Sequence, residues 1–495
     1  MGWRGGELYG HAWVQWWHGE ALWAWPAGND RVLGASEWPV VDPLSTAVAA
    51  ATGRLLGYGV GWNALIVLGL VLGFFGGAFL AGRAGGSPLV GGLGVALSPV
   101  FLGSISSGLT EDLGLGLVAF SLALLIYPRR SQERLWGGLL LGLTAWTGLY
   151  LTFLAALVAG ILGVRALLRR EGIRDWLLAG ILAAAIALPA LGLFGGRIFG
   201  EGHRFGEAHL PNFEPLWRVN PVRVVDLASF FDPRSMNVPE NAVVRLHPMY
   251  LGWVLLGCAL WVRSTGWWLL FGACVLYACG PEFRVAGEST GLLNPVHSGF
   301  NALPFFDRIN HSGRVMLLGH LALVVLAARG ALAFGRTRAI AAVVVLELVL
   351  LGPGLAPLPT TSSNVAEVFS KLGNEEGRVL VLPLGGPGLH PQRALYEQRA
   401  HARDLALRPN VPGPVLGIEQ SPTGAWLCGL GREESSGPPD LLDVDGFLQA
   451  KISTILVREG WVEEAIEGLG DPHFLAEGGA IWHLSQLSLG PGGAI

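Results

Sequence analysis

Residues 61–81 read GWNALIVLGLVLGFFGGAFLA and contain no charged side chain. A helix of about 20 apolar residues spans the hydrocarbon core of a bilayer. The glycines in this run allow a neighbouring helix to approach closely, as is typical of helices packed in lipid. The stretch therefore predicts a transmembrane helix.

The composition of the whole chain supports the same class of protein. Of its 495 residues, 51% are hydrophobic and only 14% are charged, whereas a soluble chain has about 25% charged residues. The 19 tryptophans suit a membrane–water interface. The net charge of -4 gives no electrostatic basis for binding nucleic acid. We expect a polytopic α-helical membrane protein whose partner is the lipid bilayer, with no nucleic-acid partner.

Further apolar stretches bring the expected number of transmembrane helices to about ten. They are expected at residues 61–81, 87–103, 113–127, 136–149, 151–166, 176–196, 248–263, 266–280, 315–329 and 337–354.

The placement of arginines decides how many helices the stretch from Trp136 to Val164 forms. The stretch fits either one tilted helix or two short ones. Cytoplasmic loops are enriched in Lys and Arg, and arginine clusters flank this stretch on both sides. Two clusters on the same side of the membrane require an even number of crossings, so we predict two helices. The clusters are Arg129, Arg130 and Arg134 before the stretch, and Arg165, Arg169, Arg170 and Arg174 after it.

This topology places both termini outside and defines the domains. They are an aromatic N-terminal segment at 1–60, a transmembrane domain at 61–354 with long outer loops at 197–247 and 281–314, and a C-terminal domain at 355–495. The C-terminal domain is predicted to be a small α/β domain, with a helix at 365–372 and strands at 378–382, 453–457 and 480–484.

The outer N-terminal segment lacks a signal peptide or membrane span ahead of it in this sequence. We therefore expect a first helix to be encoded upstream of Met1, which the upstream coding sequence would reveal.

Acidic, imidazole and indole groups are concentrated in the run GGELYGHAWVQWWHGEALWAW, residues 5–25. In a helix, Glu7, His11 and His18 fall near one face because their offsets are four and seven residues. A carboxylate and an imidazole can deprotonate an acceptor hydroxyl, which makes Glu7 and His11 candidate catalytic residues. The alternative is an amphipathic helix whose tryptophans lie at the headgroup level.

A second outer turn, SISSGLTEDLG at residues 104–114, carries adjacent carboxylates at Glu111 and Asp112. Such a pair beside a membrane can bind a divalent metal, Mg or Mn, that bridges a phosphate. The alternative is helix capping by Thr110 with acidic residues in the first helical turn.

The segment LPFFDRINHSGRVMLLGH, residues 303–320, places Arg308, His311 and Arg314 at the level of a lipid phosphate. Arginine is the natural partner of phosphate, although the segment also reads as an interfacial anchor. His320 is interpreted as a packed core histidine, and Glu347 as an intramembrane carboxylate with either a functional or a helix-pairing role.

Three aspartates are interpreted as mainly structural because they neighbour turn residues. They are Asp42, Asp226 and Asp232.

Several segments together resemble bacterial GT-C-type integral membrane glycosyltransferases and the related YfhO-type proteins. The resemblance covers nearly the whole chain through loose motifs, namely GELYGHAWVQWW, WPVVDP, YGVGWNALIVLGLVLGFFGGAFLAGRAGG, LSPVFLGSISSGLTED, LPFFDRINHSGRVMLL, RVLVLPL and ALYEQRAHARD.

The resemblance implies an enzyme of a bacterial inner membrane that moves a sugar from a polyprenyl-phosphate donor to a glycan, lipid or protein acceptor on the outer face. It implies Glu7 as the catalytic base, Glu111 and Asp112 as a second acidic site, and Arg314 as a phosphate contact. The chain departs from the family in the missing first span, and in Glu7, which stands where an Asp is common.

Two other classes of protein fit the same sequence. A non-catalytic scaffold or subunit of an envelope complex would use the glycine-rich helices for assembly. A lipid or glycan transporter would line a path through the membrane with polar residues, for which His320 and Glu347 are almost the only candidates.

Overall fold

The computed structural model describes residues 8–22, 42–199, 224–233, 249–303, 306, 312–351, 361, 364–372, 376–383, 393–406, 418, 421–430, 438–439 and 445–484.

Helices make up the transmembrane part, and each predicted membrane segment contains at least one of them. The helices that precede residue 200 are α1 (Leu8–Glu20), α2 (Pro43–Leu56), α3 (Tyr58–Arg83), α4 (Pro88–Ala96), α5 (Pro99–Ser106), α6 (Leu115–Ile126), α7 (Ser131–Thr144), α8 (Leu149–Arg169) and α9 (Ile173–Phe199). Those that follow are α10 (Trp253–Leu260), α11 (Thr265–Ala278), α12 (Pro295–Asn301), α13 (Met316–Ala333) and α14 (Thr337–Leu351).

Five of the described helical segments are long and apolar enough to cross a membrane. They are Tyr58–Arg83, Pro88–Ser106, Leu149–Arg169, Ile173–Gly192 and Ser312–Ala333. The prediction of an α-helical polytopic membrane protein is confirmed.

The stretch from Trp136 to Val164 forms two helices, as the arginine clusters predicted. α7 ends at Thr144 and α8 begins at Leu149. At the other end of α7, Arg83 and Glu133 form an ion pair at 2.7 Å. The acidic turn with Glu111 precedes α6, so α6 separates the acidic turn from this arginine-rich end.

Glycine permits direct backbone contact between α3 and α6. A Cβ added at Gly76 would collide with the carbonyl oxygen of Gly116, and one added at Gly116 would collide with the carbonyl of Leu72. Such contact, which any larger residue would prevent, packs membrane helices closely without large side chains. α6 is therefore held directly against α3.

The C-terminal residues form the predicted α/β domain around a four-stranded sheet. Its strands, β3 (Arg378–Leu382), β4 (Ile452–Arg458), β5 (Phe474–Ala476) and β6 (Gly479–His483), lie in the order β3-β4-β6-β5. β3 and β4 are parallel, whereas β6 is antiparallel to both of its neighbours. The three predicted strands are confirmed within a residue or two. A two-stranded hairpin, β1 (Glu282–Val285) and β2 (Glu288–Leu293), lies in the predicted outer loop at 281–314.

Five helices accompany the sheet. They are α15 (Glu367–Ser370), α16 (Arg393–His401), α17 (Pro422–Gly429), α18 (Asp445–Gln449) and α19 (Val462–Leu469). α15 is shorter than the helix predicted at 365–372.

α1 packs against this C-terminal domain. Trp13 and Trp16 are buried in a core cluster with Val379 and Val381 of β3 and Leu395 of α16. The amphipathic-helix alternative required these two indoles to lie among lipid headgroups. They lie in the protein core instead.

Glu347 caps a helix inside the membrane domain. Its carboxylate accepts hydrogen bonds from the backbone N–H of Trp253 at 2.6 Å and of Val254 at 3.1 Å, and from the Tyr250 hydroxyl. The first N–H groups of a helix have no partner within the helix, and the carboxylate from α14 satisfies two of them at the start of α10. Glu347 thus pairs α14 with α10 by capping the start of α10.

We predict that Glu347→Ala destabilises the protein by about 2 kcal/mol, because buried N–H groups of α10 lose their acceptor. Thermal unfolding in detergent, monitored by circular dichroism, measures the effect. Leu346→Ala, at an exposed neighbouring position, is the control. Equal unfolding temperatures for the two variants would contradict the capping role.

Candidate active site

Four segments that are far apart in the sequence meet at one end of the membrane helices. α1 contributes His11, and the residue before α2 contributes Asp42. The turn Thr110–Gly114 contributes Glu111 and Asp112, and the turn Ser312–Val315 contributes Arg314. Each polar group therefore lies in a turn or a short helix next to an apolar span.

Arg314 is the cation at the centre of this cluster. Its Nη2 lies 2.5 Å from Glu111 Oε1 and 3.5 Å from Asp112 Oδ1. The guanidinium carbon lies 4.7 Å from the centre of the Tyr150 ring, a distance at which a cation is attracted to the ring face. The side chain is only 5% exposed. Arg314 is therefore a buried cation that neutralises part of a buried acidic pair.

His11 lies between two carboxylates. Its Nε2 is 3.5 Å from Glu111 Oε2, and its Nδ1 is 3.8 Å from Asp42 Oδ2. The Thr110 hydroxyl lies 2.8 Å from Nδ1 and donates its proton to Asp42. Because the Thr110 hydroxyl proton is donated to Asp42, the hydroxyl oxygen can only accept a hydrogen bond from His11 Nδ1–H. In the neutral imidazole, Nε2 is then the nitrogen that can accept a proton.

Asp42 does not act as a helix cap, although it precedes a helix with Pro43 at its first position. Its carboxylate instead accepts from Thr46 at 3.2 Å and from Thr110. Burial raises the pKa of Asp42 to about 6, against the opposing effects of His11 and Thr110. The carboxyl group is therefore largely ionised at pH 7 and becomes neutral in mild acid.

Glu111 and Asp112 have opposite pKa shifts although they are adjacent. Burial alone would raise the pKa of Glu111, but the charge of Arg314, together with that of His11 when it is protonated, outweighs burial and the pKa is lowered. Burial and the neighbouring Glu111 raise the pKa of Asp112 in spite of Arg314. Glu111 is thus the more acidic of the two carboxyl groups, and Asp112 gains a proton more readily.

Two polar atoms of this cluster, Glu111 Oε2 and Arg314 Nε, are buried without a hydrogen bond among the described residues. The Asp112 carboxylate interacts with Ser104 and, at 3.5 Å, with Arg314. Buried polar atoms are normally hydrogen-bonded, so Glu111 Oε2 and Arg314 Nε indicate a place where a ligand or water completes the bonding. Within the described part of the chain, no group of three or more His, Cys, Asp or Glu residues is arranged to hold a metal ion.

The structure brings together four of the residues predicted from the sequence, namely His11, Glu111, Asp112 and Arg314. The capping interpretation of Thr110 is not supported, because no side-chain cap is formed at its turn. Glu7, Arg308 and His311 lie outside the described residues, so their roles stay predictions.

Sequence reasoning did not place Asp42 or Tyr150 in this cluster. Asp42 was interpreted as mainly structural because it neighbours turn residues. Its place within WPVVDP, a segment that carries the family resemblance, was the signal available. No pattern in the sequence distinguished Tyr150.

His18, predicted on the same face as His11, is also buried in α1. Burial lowers its pKa to about 4, so His18 is neutral at pH 7.

Comparisons with known proteins identify the fold. The structure resembles the arabinofuranosyltransferase AftD from Mycobacteria, with a TM-score of 0.55 and 15% sequence identity over 96% of this chain. The chain spans about two fifths of the AftD chain, 39% of its length. Neither a family model nor a curated protein matches the sequence.

Two structures of ArnT from Cupriavidus metallidurans are more weakly similar, each with a TM-score of 0.43. The apo structure is 14% identical, over 98% of this chain and 95% of ArnT. The one bound to undecaprenyl phosphate is 15% identical, over 96% and 93%.

The chain shares the fold of AftD. The relationship to YfhO-type proteins stays a prediction.

We predict that Asp42 makes the protein less stable as pH rises from about 4 to about 6. A carboxyl group whose pKa is raised by folding contributes stability that is complete below the unfolded pKa and lost as pH passes the folded pKa. The raised pKa corresponds to about 3 kcal/mol of unfolding free energy. Relative to wild type, the unfolding free energy of Asp42→Asn should therefore rise by about 3 kcal/mol between pH 4 and pH 7. Thermal unfolding across this range measures the difference. With Asp226→Asn as control, parallel pH curves for wild type and Asp42→Asn would contradict the prediction.

Proposed function

We propose that the protein is a membrane glycosyltransferase that moves a sugar from a polyprenyl-phosphate donor to an acceptor hydroxyl. The observation that carries this proposal is the meeting of His11, Glu111, Asp112 and Arg314 at the end of the apolar helices. The shared fold with the arabinofuranosyltransferase AftD supports the reaction class. By the positive-inside rule, this end of the helices faces the outside of a bacterial inner membrane.

The donor phosphate is proposed to bind Arg314. This guanidinium is fixed by the carboxylates and by Tyr150, while its Nε lacks a hydrogen-bond partner among the described residues. A planar guanidinium with a remaining donor suits a phosphate oxygen. Arg308 and His311 are proposed as further phosphate contacts because they precede Arg314 by six and three residues.

A divalent cation, Mg or Mn, is proposed to bind together with the donor phosphate. Glu111 Oε2 and the carboxylate of Asp112 are the proposed ligands. Mg²⁺ is typically held by one or two carboxylates plus substrate phosphates rather than by a full protein cage. Two carboxylates are therefore a fitting protein contribution, and the cation would offset the charge of the leaving phosphate.

His11 is proposed to accept the proton of the acceptor hydroxyl through Nε2. The acceptor oxygen forms a bond to the anomeric carbon as the bond from that carbon to the phosphate oxygen breaks, so the anomeric configuration inverts. Arg314 stabilises the phosphate that leaves. Glu7 is proposed as a second base on the family resemblance alone.

Among the described residues, no observation specifically favours a scaffold or a transporter. The carboxylate of Glu347 is occupied as a helix cap, which removes one of the two intramembrane groups that a transport path would use.

We predict that Arg314→Lys lowers transfer about 10- to 100-fold, because lysine keeps the charge but loses the planar pair of donors. His11→Gln should lower transfer by a similar factor, because glutamine cannot accept the proton. Transfer from a radiolabelled polyprenyl-phosphate sugar in proteoliposomes measures both. Arg329→Lys, on α13, the helix that follows the turn with Arg314, is the control. If both variants equal wild type while wild type is active, the proposed site is wrong.

We predict that chelation by EDTA abolishes transfer and that Mg²⁺ or Mn²⁺ restores it, because the cation offsets the charge of the phosphate. The same transfer assay measures the loss and the recovery. Undiminished transfer in EDTA would remove the cation from the proposal and leave the roles of Arg314 and His11 intact.

A further inference from the structure

α1 has two faces that contact different parts of the molecule. Successive residues of a helix are rotated by about 100°, so residues two apart, such as His11 and Trp13, point in nearly opposite directions. His11 faces the candidate active site, and Leu8 beside it packs into the core of the membrane domain. Trp13 and Trp16 face the C-terminal domain. One rigid helix of 13 residues thus joins the two.

A buried hydrogen bond lies at the contact between α1 and the C-terminal domain. Trp13 Nε1 donates to Gln398 Oε1 at 2.8 Å. The same amide donates from its Nε2 to the backbone carbonyl of Arg403 at 2.9 Å. Because both ends of the amide are used, the acceptor oxygen of Gln398 has a fixed direction. Tyr9 adds a ring contact with Tyr396 at 5.4 Å between centroids.

The residue next to Gln398 anchors α16 to the sheet. Glu397 forms a two-point ion pair with Arg458, at the end of β4, with both nitrogen–oxygen distances at 2.7 Å. A bidentate arginine–carboxylate pair fixes geometry more strictly than a single contact. A continuous set of directed contacts therefore runs from β4 through α16 to Trp13.

The opposite face of α1 is held by equally specific contacts. Arg54 Nη1 donates to the carbonyl of Gly19 at 2.7 Å. A Cβ at Gly19 would collide with the Tyr58 hydroxyl, so the end of α1 lies directly against the start of α3. With both faces fixed, His11 cannot move away from Thr110 unless α1 leaves one of its two partners.

We propose that α1 is a coupling helix by which the C-terminal domain holds His11 in the active site, with Trp13 and Gln398 as positioning residues. This inference rests on the proposed function for its catalytic consequence. The C-terminal domain then sets the rate of proton acceptance, although the described part of it contributes no residue to the cluster around Arg314. A ligand that shifts α16 would change transfer without touching the donor site.

The test uses two matched substitutions in the full-length protein in proteoliposomes. Trp13→Phe removes the indole N–H and keeps an aromatic ring, whereas Gln398→Met removes the acceptor and keeps the length of the side chain. Each should lower kcat about tenfold, because a small displacement of a catalytic group has a large effect on rate. The KM for the donor should stay within about twofold, since Arg314 is undisturbed. Lys371→Met, at an exposed position of the same domain, should match wild type.

A double-mutant cycle with His11→Gln separates positioning from general damage. Trp13→Phe should lower kcat no further in the His11→Gln protein, because the group that it positions is already absent. The same fractional loss in both backgrounds would overturn the inference and leave the proposed function standing.

Hydrogen exchange measured by mass spectrometry gives a second readout that needs no activity. In Trp13→Phe and Gln398→Met, the amides of residues 8–20 should exchange about five- to tenfold faster, while those of α3 stay unchanged. Unchanged exchange in α1 would overturn the coupling whatever the transfer rates are. Faster exchange in a protein whose wild type transfers no sugar would retain the coupling and reject the proposed function.

Discussion

The arrangement of the active-site end depends on one buried guanidinium. Without Arg314, Glu111 and Asp112 would be two neighbouring carboxylates removed from water, each with a large desolvation penalty. The pairing with Arg314 ties the turn after α5 to the turn before α13, which lie 203 positions apart. Arg314 thus links these two turns through ion pairs with both Glu111 and Asp112.

The transmembrane architecture could be predicted from the sequence because its cause is local. Each span is a predominantly apolar run, and the arginine clusters around Trp136–Val164 were sufficient to separate α7 from α8. The strands of the C-terminal domain were predicted for the same reason, since Arg378–Leu382 and Ser453–Val457 are short runs of branched residues. The helix α16 was missed because it is polar on average and carries no strong apolar run.

The site was only partly predictable because it depends on contacts between distant residues. Glu111 and Arg314 could be identified as chemically suited groups at the same membrane face. Nothing in the sequence indicated that His11 and Thr110, 99 positions apart, share a hydrogen bond. Asp42 was interpreted as mainly structural from its neighbouring turn residues, and its hydrogen bond with Thr110, 68 positions away, could not be predicted because it depends on the tertiary fold.

The glycine contact between α3 and α6 has a consequence for how this membrane domain tolerates change. Gly116 lies four residues after Asp112, so the close approach of the α3 and α6 backbones fixes where the acidic turn lies relative to α3. Side chains on the lipid face of these helices can vary in size with little effect on that position. At Gly76 and Gly116, by contrast, the first carbon of any side chain would force the two backbones apart and displace the acidic turn relative to α3.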